Sequence, residues 1–86
     1  MISIIPKSSY NKEEIINRIE DINSSKENIG SLRIKGFVKA KREGWFWEIS
    51  FVNGQYTIDL NKKTNINALS FIGEKLNIEQ VINLFS

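Results

Sequence analysis

The chain has 86 residues, of which 41% are apolar, a formal net charge of +2, and neither Cys nor His. A chain of this length forms one small domain, which we place over residues 1–86, and its apolar content is sufficient for a core. Without Cys or His it has no disulfide and no thiolate or imidazole metal ligand, and it lacks the Ser-His and Cys-His pairs of nucleophilic catalysis. We therefore expect a binding protein without a cofactor or metal rather than an enzyme, in a reducing compartment such as the cytoplasm.

The N-terminal segment alternates apolar and polar residues and stops at a proline. Ile2, Ser3 and Ile4 precede Pro6 at the spacing of a short strand. The segment lacks the charged start and the long apolar run of a signal peptide or a membrane span. We predict a strand here and no membrane contact.

A helix start signal follows. Asn11 and Glu14 have the spacing of a capping box, in which each side chain bonds to the backbone of the other residue, and Tyr10 and Ile15 have the spacing of a hydrophobic staple. Apolar residues then recur at helical intervals at Ile15, Ile16, Ile19 and Ile22. The pattern predicts an amphipathic helix that begins at Lys12 and fades over residues 23–25.

From residue 32 to residue 60 the apolar period becomes two, which is typical of half-buried strands. Two short polar pairs, Glu43-Gly44 and Asn53-Gly54, divide this stretch into three segments. Asn-Gly is the strongest short hairpin signal, because a type I′ turn needs positive φ at both central positions. The stretch predicts a three-stranded antiparallel meander.

The two turns also predict a register. If Glu43-Gly44 is a two-residue turn, Val38 lies opposite Ile49, Ala40 lies opposite Trp47, and Lys39 lies opposite Glu48. If Asn53-Gly54 is the second turn, Ile49–Ile58, Trp47–Leu60 and Glu48–Asp59 are pairs. The two turns and the alternation agree, since they bring the apolar residues onto one face.

The C-terminal third contains a segment whose secondary structure the sequence does not determine, followed by a second helix. Residues 66–72 are compatible with a fourth strand or with an irregular connection. Asn77 and Gln80 have capping-box spacing, and an apolar stripe follows at Ile78, Val81, Ile82 and Phe85. The sequence thus predicts an α+β two-layer sandwich of order β-α-β-β-β-(β)-α, in which two helices cover one face of an antiparallel three- to four-stranded meander sheet. We expect Trp47, Ile49, Phe51, Tyr56 and Ile58 under the helices.

The opposite face is expected to be open, basic and aromatic. Cations and aromatic side chains alternate along it and at the first turn, at Arg33, Lys35, Phe37, Lys39, Lys41, Arg42, Trp45 and Phe46. Cations follow a phosphate backbone and exposed aromatic rings stack on unpaired bases. Contact with RNA or DNA through these residues is therefore the leading functional hypothesis.

Three other interpretations stay open. Strand lysines also serve as plain solubilising surface, especially where a carboxylate such as Glu48 lies opposite. A partly exposed Trp45 with Phe46 and Phe37 is typical of a protein contact, which would make the chain a protein-binding regulator or inhibitor of phage or mobile-element origin. The open sheet face would also allow a homo-oligomer.

Two further features of the sequence, a pair of carboxylates and a three-residue motif, do not change the hypothesis of a binding protein. Glu48 and Asp59 are the one pair of carboxylates that the register brings together, but on an open face beside a lysine they are a poor site for catalysis. Lys35-Gly36-Phe37 resembles the opening of the RNA-recognition-motif signature, [KR]-G-[FY], which implies RNA contact through a sheet. The resemblance covers three residues, and Val38 and the residues after it depart from the signature, so the sequence identifies no family.

Overall fold

The computed structural model of the chain describes residues 1–24, 32–52, 54–62, 66–73 and 78–85. Its elements in chain order are β1 (Ile2–Ile4), α1 (Lys12–Asn23), β2 (Arg33–Lys39), β3 (Phe46–Val52), β4 (Gln55–Asn61), β5 (Ala68–Ile72) and α2 (Ile78–Leu84). This is the predicted order of elements, and residues 66–72, which are compatible with a strand or an irregular connection, contain strand β5.

The strands form one antiparallel sheet in the order β1-β5-β2-β3-β4. The predicted α+β class and the meander of β2, β3 and β4 are confirmed. The sheet has five strands rather than three or four, because β5 inserts between β1 and β2 and so brings the N-terminal strand into the same sheet. The chain therefore returns from the β4 edge to the middle of the sheet.

The second hairpin has the predicted register and the first does not. Ile49 pairs with Ile58 as expected. Val38, however, pairs with Trp47 rather than with Ile49, so the predicted register of the first hairpin is wrong by two residues. Because side chains alternate with a period of two, a shift of two residues leaves each strand residue on its predicted face.

The error lies in the length of the first turn. The loop spans residues 41–44 and not the Glu43-Gly44 pair alone, and it is closed by a hydrogen bond of 2.9 Å from the Ala40 N–H to the Trp45 carbonyl oxygen. A second bond of 3.1 Å, from the Trp45 N–H to the Arg42 carbonyl oxygen, tightens the loop from inside. In the second turn Gly54 has a φ of +78°, whereas Asn53 lies outside the described residues.

Helix α1 begins as predicted. The Asn11 side chain accepts the Glu14 N–H at 2.8 Å and the Glu14 carboxylate accepts the Asn11 N–H at 3.0 Å, which completes the capping box. The helix ends at Asn23. Its buried residues are Ile15, Ile19 and Ile22, and Ile16 at the side of the stripe is half-buried.

Helix α2 buries a narrower stripe than predicted. Val81 and Phe85 are buried, but Ile82 is 45% exposed, so the expectation that Ile82 faces the core is wrong. One helical residue turns the side chain by about 100°, which carries Ile82 to the rim of the helix layer beside Ile4 and Ile5. The proposed cap at Asn77 and the side chain of Ile78 lie outside the described residues.

The core lies between the sheet and the two helices. It contains aromatic side chains from β3, β5 and the chain end after α2, packed among β-branched residues and leucines. The helix-facing rows of the sheet include Ile4–Leu69–Gly36–Ile49–Ile58 and Ile2–Phe71–Ile34–Phe51–Tyr56.

The helix layer does not reach the β4 edge. Tyr56 is 38% exposed and Leu60 is 43% exposed on this face, and Trp47 is only half-buried. The expectation that the helices cover Tyr56 is therefore wrong. The axes of two packed helices lie about 10 Å apart, whereas the outer two of five strands lie about 19 Å apart. One edge strand must stay partly bare.

Gly36 permits the close contact between β2 and β5. Its φ is +146°, and a Cβ atom at this position would lie 2.1 Å from the backbone oxygen of Ala68. The obstructing atom belongs to a backbone in the middle of the sheet, so it cannot rotate away. Only glycine allows the pairing of Gly36 with Leu69 at this distance.

We expect Gly36→Ala to lower the free energy of unfolding by about 3 kcal/mol or more, since backbone strain and overpacking each cost about 1–3 kcal/mol. Urea denaturation followed by tryptophan fluorescence measures the change.

Gly44→Ala is the matched control. Gly44 also has a positive φ, of +84°, but nothing lies within 4 Å of an added Cβ. Only the intrinsic penalty of about 1–2 kcal/mol for a left-handed residue should remain. Equal effects of the two substitutions would contradict the role assigned to the Gly36–Ala68 contact.

Candidate binding site at the first hairpin

The predicted site residues fall into two groups. Five of them lie on the open sheet face, where Arg33, Lys35 and Lys39 are exposed and Phe37 and Phe46 are half-buried. The other three, Lys41, Arg42 and Trp45, belong to the loop of the first hairpin and its exit. The two groups meet at the Lys39–Phe46 pair, which closes the strand part of the hairpin.

Lys41 is not part of the basic stripe on the sheet. Strand β2 ends at Lys39, and Lys41 Nζ lies 3.0 Å from Glu14 Oε1 of α1. The ion pair draws this side chain toward the helix layer. The cations that lie on strand β2 are therefore Arg33, Lys35 and Lys39, and the expectation that Lys41 belongs to the open sheet face is wrong.

The shifted register also changes the neighbours of Glu48. Glu48 lies opposite Phe37 and not opposite Lys39, so the expected cross-strand charge pair is absent from the sheet. Glu48 does pair with Asp59, as predicted. The same shift makes Phe37 and Phe46 diagonal neighbours, a distance that aromatic rings can bridge.

Trp45 is held by two cations. The Arg42 guanidinium carbon lies 5.1 Å from the centroid of the indole ring, and Lys62 Nζ lies 5.7 Å from it. Contacts of this type contribute about 0.5–1 kcal/mol each at exposed sites and restrict the ring. The half-buried indole is therefore positioned before any partner arrives.

Lys62 was missed by the sequence reasoning, although a signal for it was available. Phe46 pairs with Asn61 in the second hairpin, whose register was predicted correctly. One further step along both strands places Lys62 opposite Trp45. Extending the pairing past the last apolar residue would have found the contact.

An open cleft of about 370 Å³ lies beside this hairpin. Its lining residues come from the hairpin and from the segment before α1, and they are Ser9, Lys39, Ala40, Lys41, Glu43, Gly44, Trp45 and Phe46. We call this set, with Arg42 and Lys62 at Trp45, the hairpin site. Its cations outnumber its carboxylates, so the cleft attracts anionic groups.

The segment before α1 closes one side of the cleft by backbone contacts. The Tyr10 N–H donates to the Lys39 carbonyl oxygen at 2.9 Å, and Tyr10 forms an isolated parallel bridge with Ala40. This contact joins residues that are far apart in sequence. No local pattern in the sequence predicts it.

The pKa of Glu14, which forms the ion pair with Lys41, lies below its ordinary value. The backbone N–H of Asn11 stabilises its carboxylate, as does the ammonium group of Lys41, and together they lower the pKa of Glu14. Glu14 thus links the start of α1 to the hairpin loop through its charged form.

The described residues show no arrangement for metal chemistry. Within them, no three Asp, Glu, His or Cys side chains are grouped so that they could hold a metal ion. Among the described helices, none is long and apolar enough to cross a membrane. The hairpin site therefore offers charge and an aromatic surface for binding.

Comparison with known proteins identifies one family. Residues 2–86 match the model of the cobalamin synthesis protein cobW C-terminal domain. The comparison with curated proteins returned no match, and neither did the comparison with solved structures.

The match corrects the functional hypothesis drawn from the sequence. The matching family is described as a domain of a cobalamin synthesis protein and not as a nucleic-acid-binding domain, so nucleic-acid binding as the function is wrong. The alternative, a regulator or inhibitor of phage or mobile-element origin, is overturned by the same finding. Cations on a strand were insufficient evidence, because such residues are common on half-exposed sheets of any function.

The lowered pKa of Glu14 predicts a pH dependence of stability. A carboxyl group whose pKa is lower in the folded state contributes stability that is complete above its unfolded pKa and is lost as the pH falls through the folded value. We expect Glu14→Gln to be less stable than the native chain at pH 7, with a difference that closes as the pH falls below about 4. Urea denaturation at a series of pH values measures it.

Glu13→Gln is the control, because it removes the same charge from the same helical turn without breaking the capping box or the ion pair with Lys41. Glu13→Gln should lower the free energy of unfolding at pH 7 by less than Glu14→Gln does. A difference between Glu14→Gln and the native chain that is the same at every pH would contradict the assignment.

Proposed function

The chain belongs to the cobW C-terminal domain family, and we propose that it acts as a non-catalytic module of a cobalamin synthesis protein, which it contacts through the hairpin site. The family match over residues 2–86 supports the association with that protein. The observation that supports this surface is the cationic cleft that Trp45 lines, with Arg42 and Lys62 against the indole ring.

A preorganised aromatic side chain among cations is suited to a protein contact. Tryptophan and arginine are enriched among the residues that dominate binding energy, because they bury a large area at a low cost in conformational freedom. Arg42 and Lys62 already restrict Trp45 in the free chain. A partner therefore gains contact area without first ordering the indole.

The shape of the cleft favours a macromolecular partner over a small anion. Ligand pockets for small molecules enclose about 70–90% of the ligand surface. Here the cleft is open, and its cations stand at the exposed rim, with the Lys41 side chain 58% exposed. The chemistry that fits is an acidic segment of the cobalamin synthesis protein, with its carboxylates on the lysines and an apolar side chain against Trp45 and Phe46.

A module of this kind needs no catalytic group of its own. The chain has neither His nor Cys, and Glu43, the carboxylate that lines the cleft, is exposed to solvent. An exposed carboxylate keeps a solvent-like environment, which is poor for acid–base catalysis. We place the module in the cytoplasm, because a chain without Cys fits a reducing compartment.

Trp45 makes the proposal directly measurable. The chain has two tryptophans, so Trp47→Phe leaves Trp45 as the sole tryptophan reporter. The chain with this change is titrated with a cobW protein from which its own C-terminal domain has been deleted. We expect a shift in Trp45 emission on binding, and about tenfold weaker binding for Arg42→Glu, because the charge change opposes an acidic partner.

Lys35→Glu is the matched control, with the same charge change on the open sheet face away from the cleft. It should bind within about twofold of the parent, the residual change coming from long-range charge alone. No emission shift at any concentration would refute the module role. An emission shift that Arg42→Glu leaves unchanged would refute the hairpin site as the contact.

A further inference from the structure

Strand β4 is a long edge strand with little protection against further strand pairing. It has seven residues, Gln55–Asn61, and stands at the end of the sheet, with no described strand on its outer side. It contains neither Pro nor Lys. By contrast, the opposite edge strand β1 has three residues and is followed by Pro6. Short strands, proline and charged side chains are the common means of preventing edge-to-edge pairing. Strand β4 has as charged residues only Asp59 within it and Lys62 after it, so the β1 edge is the better protected of the two.

The outer backbone groups of β4 belong to its apolar residues. Val52 and Gln55 flank the second turn and pair with each other, which makes them a hydrogen-bonded pair of the hairpin. Because such pairs alternate along an antiparallel ladder, the N–H and C=O groups of Tyr56, Ile58 and Leu60 point away from β3. They stand in position for another strand.

The side chains next to this edge are also apolar. Tyr56 is 38% exposed and Leu60 is 43% exposed on the helix-facing side, and Ile58 between them is buried. The helix layer stops short of this strand. A strand added to β4 would therefore gain backbone hydrogen bonds and apolar contacts together.

We propose that β4 pairs with β4 of a second copy of this chain, antiparallel, about a two-fold axis at Ile58. In this register Tyr56 lies opposite Leu60 of the second copy, and Ile58 lies opposite Ile58. On the open face Thr57 lies opposite Asp59 of the second copy, so each carboxylate meets a hydroxyl donor. The strand is thus complementary to itself, which a two-fold interface requires.

Charge and shape select this register over its neighbours. An axis at Asp59 would set two Asp59 carboxylates side by side, each already beside Glu48 of its own sheet. Like charges directly opposite are destabilising. An axis at Thr57 would set Leu60 against Gly54, which has no side chain to cover it. The axis at Ile58 pairs the apolar residues fully and keeps the carboxylates apart.

Mass measured by light scattering over a range of concentrations tests the pairing. The chain of 9.9 kDa should approach twice that mass as concentration rises. Tyr56→Lys places a charge at the edge and should weaken the dimer at least tenfold. Ile72→Lys is the matched control, because Ile72 is 48% exposed but lies on β5 inside the sheet, and it should dimerise like the native chain.

Cysteine cross-linking tests the register on a chain that has no cysteine of its own. A mixture of Thr57→Cys and Asp59→Cys chains should form a disulfide-linked pair faster than either variant alone. Faster linking of Thr57→Cys with itself would overturn the register. A constant monomer mass up to millimolar concentration would overturn the dimer.

The outcome is independent of the proposed function. Tyr56 lies at the opposite end of β4 from Lys62, so Tyr56→Lys should leave the Trp45 titration with the cobW protein unchanged. If Tyr56→Lys weakens that titration while the chain stays a monomer, the β4 edge belongs to the cobW protein and the second copy is refuted.

Discussion

Tyr10 joins the two layers of this domain. Its N–H donates to the Lys39 carbonyl oxygen at 2.9 Å, and its own carbonyl oxygen accepts the Trp47 indole N–H at 3.0 Å. Its ring stands edge-on to Phe85, with centroids 5.6 Å apart. A single residue before α1 thus contacts two strands of the sheet and the residue that follows α2.

Arg18 extends this junction between the helices. Its guanidinium lies 4.9 Å from the centroid of the Tyr10 ring and donates to the carbonyl oxygens of Leu84 at 2.6 Å and Glu14 at 3.3 Å. A charged group bound to C-terminal carbonyls satisfies acceptors that a helix end leaves open. The hairpin site depends on the same junction, because the segment that carries Tyr10 forms one wall of the cleft.

The surfaces available for binding follow from where the helix layer ends. Two helices cover the β1 side and the middle of the sheet and leave Tyr56 and Leu60 of β4 partly exposed. The open face carries three exposed cations and two half-buried phenylalanines. The hairpin site shares Lys39 and Phe46 with the open face but differs in its other cations, because Arg42 and Lys62 lie against Trp45 and Lys41 pairs with Glu14. Preorganisation distinguishes this surface from ordinary solubilising lysines, whose side chains are free to move.

The sequence alone determined the features that depend on neighbours in the chain. The capping box at Asn11, the meander of residues 32–60 and the second hairpin were predictable because two-residue turns and side-chain alternation are local. The face of the sheet on which each strand residue lies was also predictable, because a register shift of two residues does not change it. Only the tertiary structure decided the place of β5 in the sheet, the four-residue first turn, the turning of Lys41 toward Glu14 and the cleft beside Tyr10. These depend on contacts between distant segments, and their free energy comes from packing that no short stretch of sequence contains.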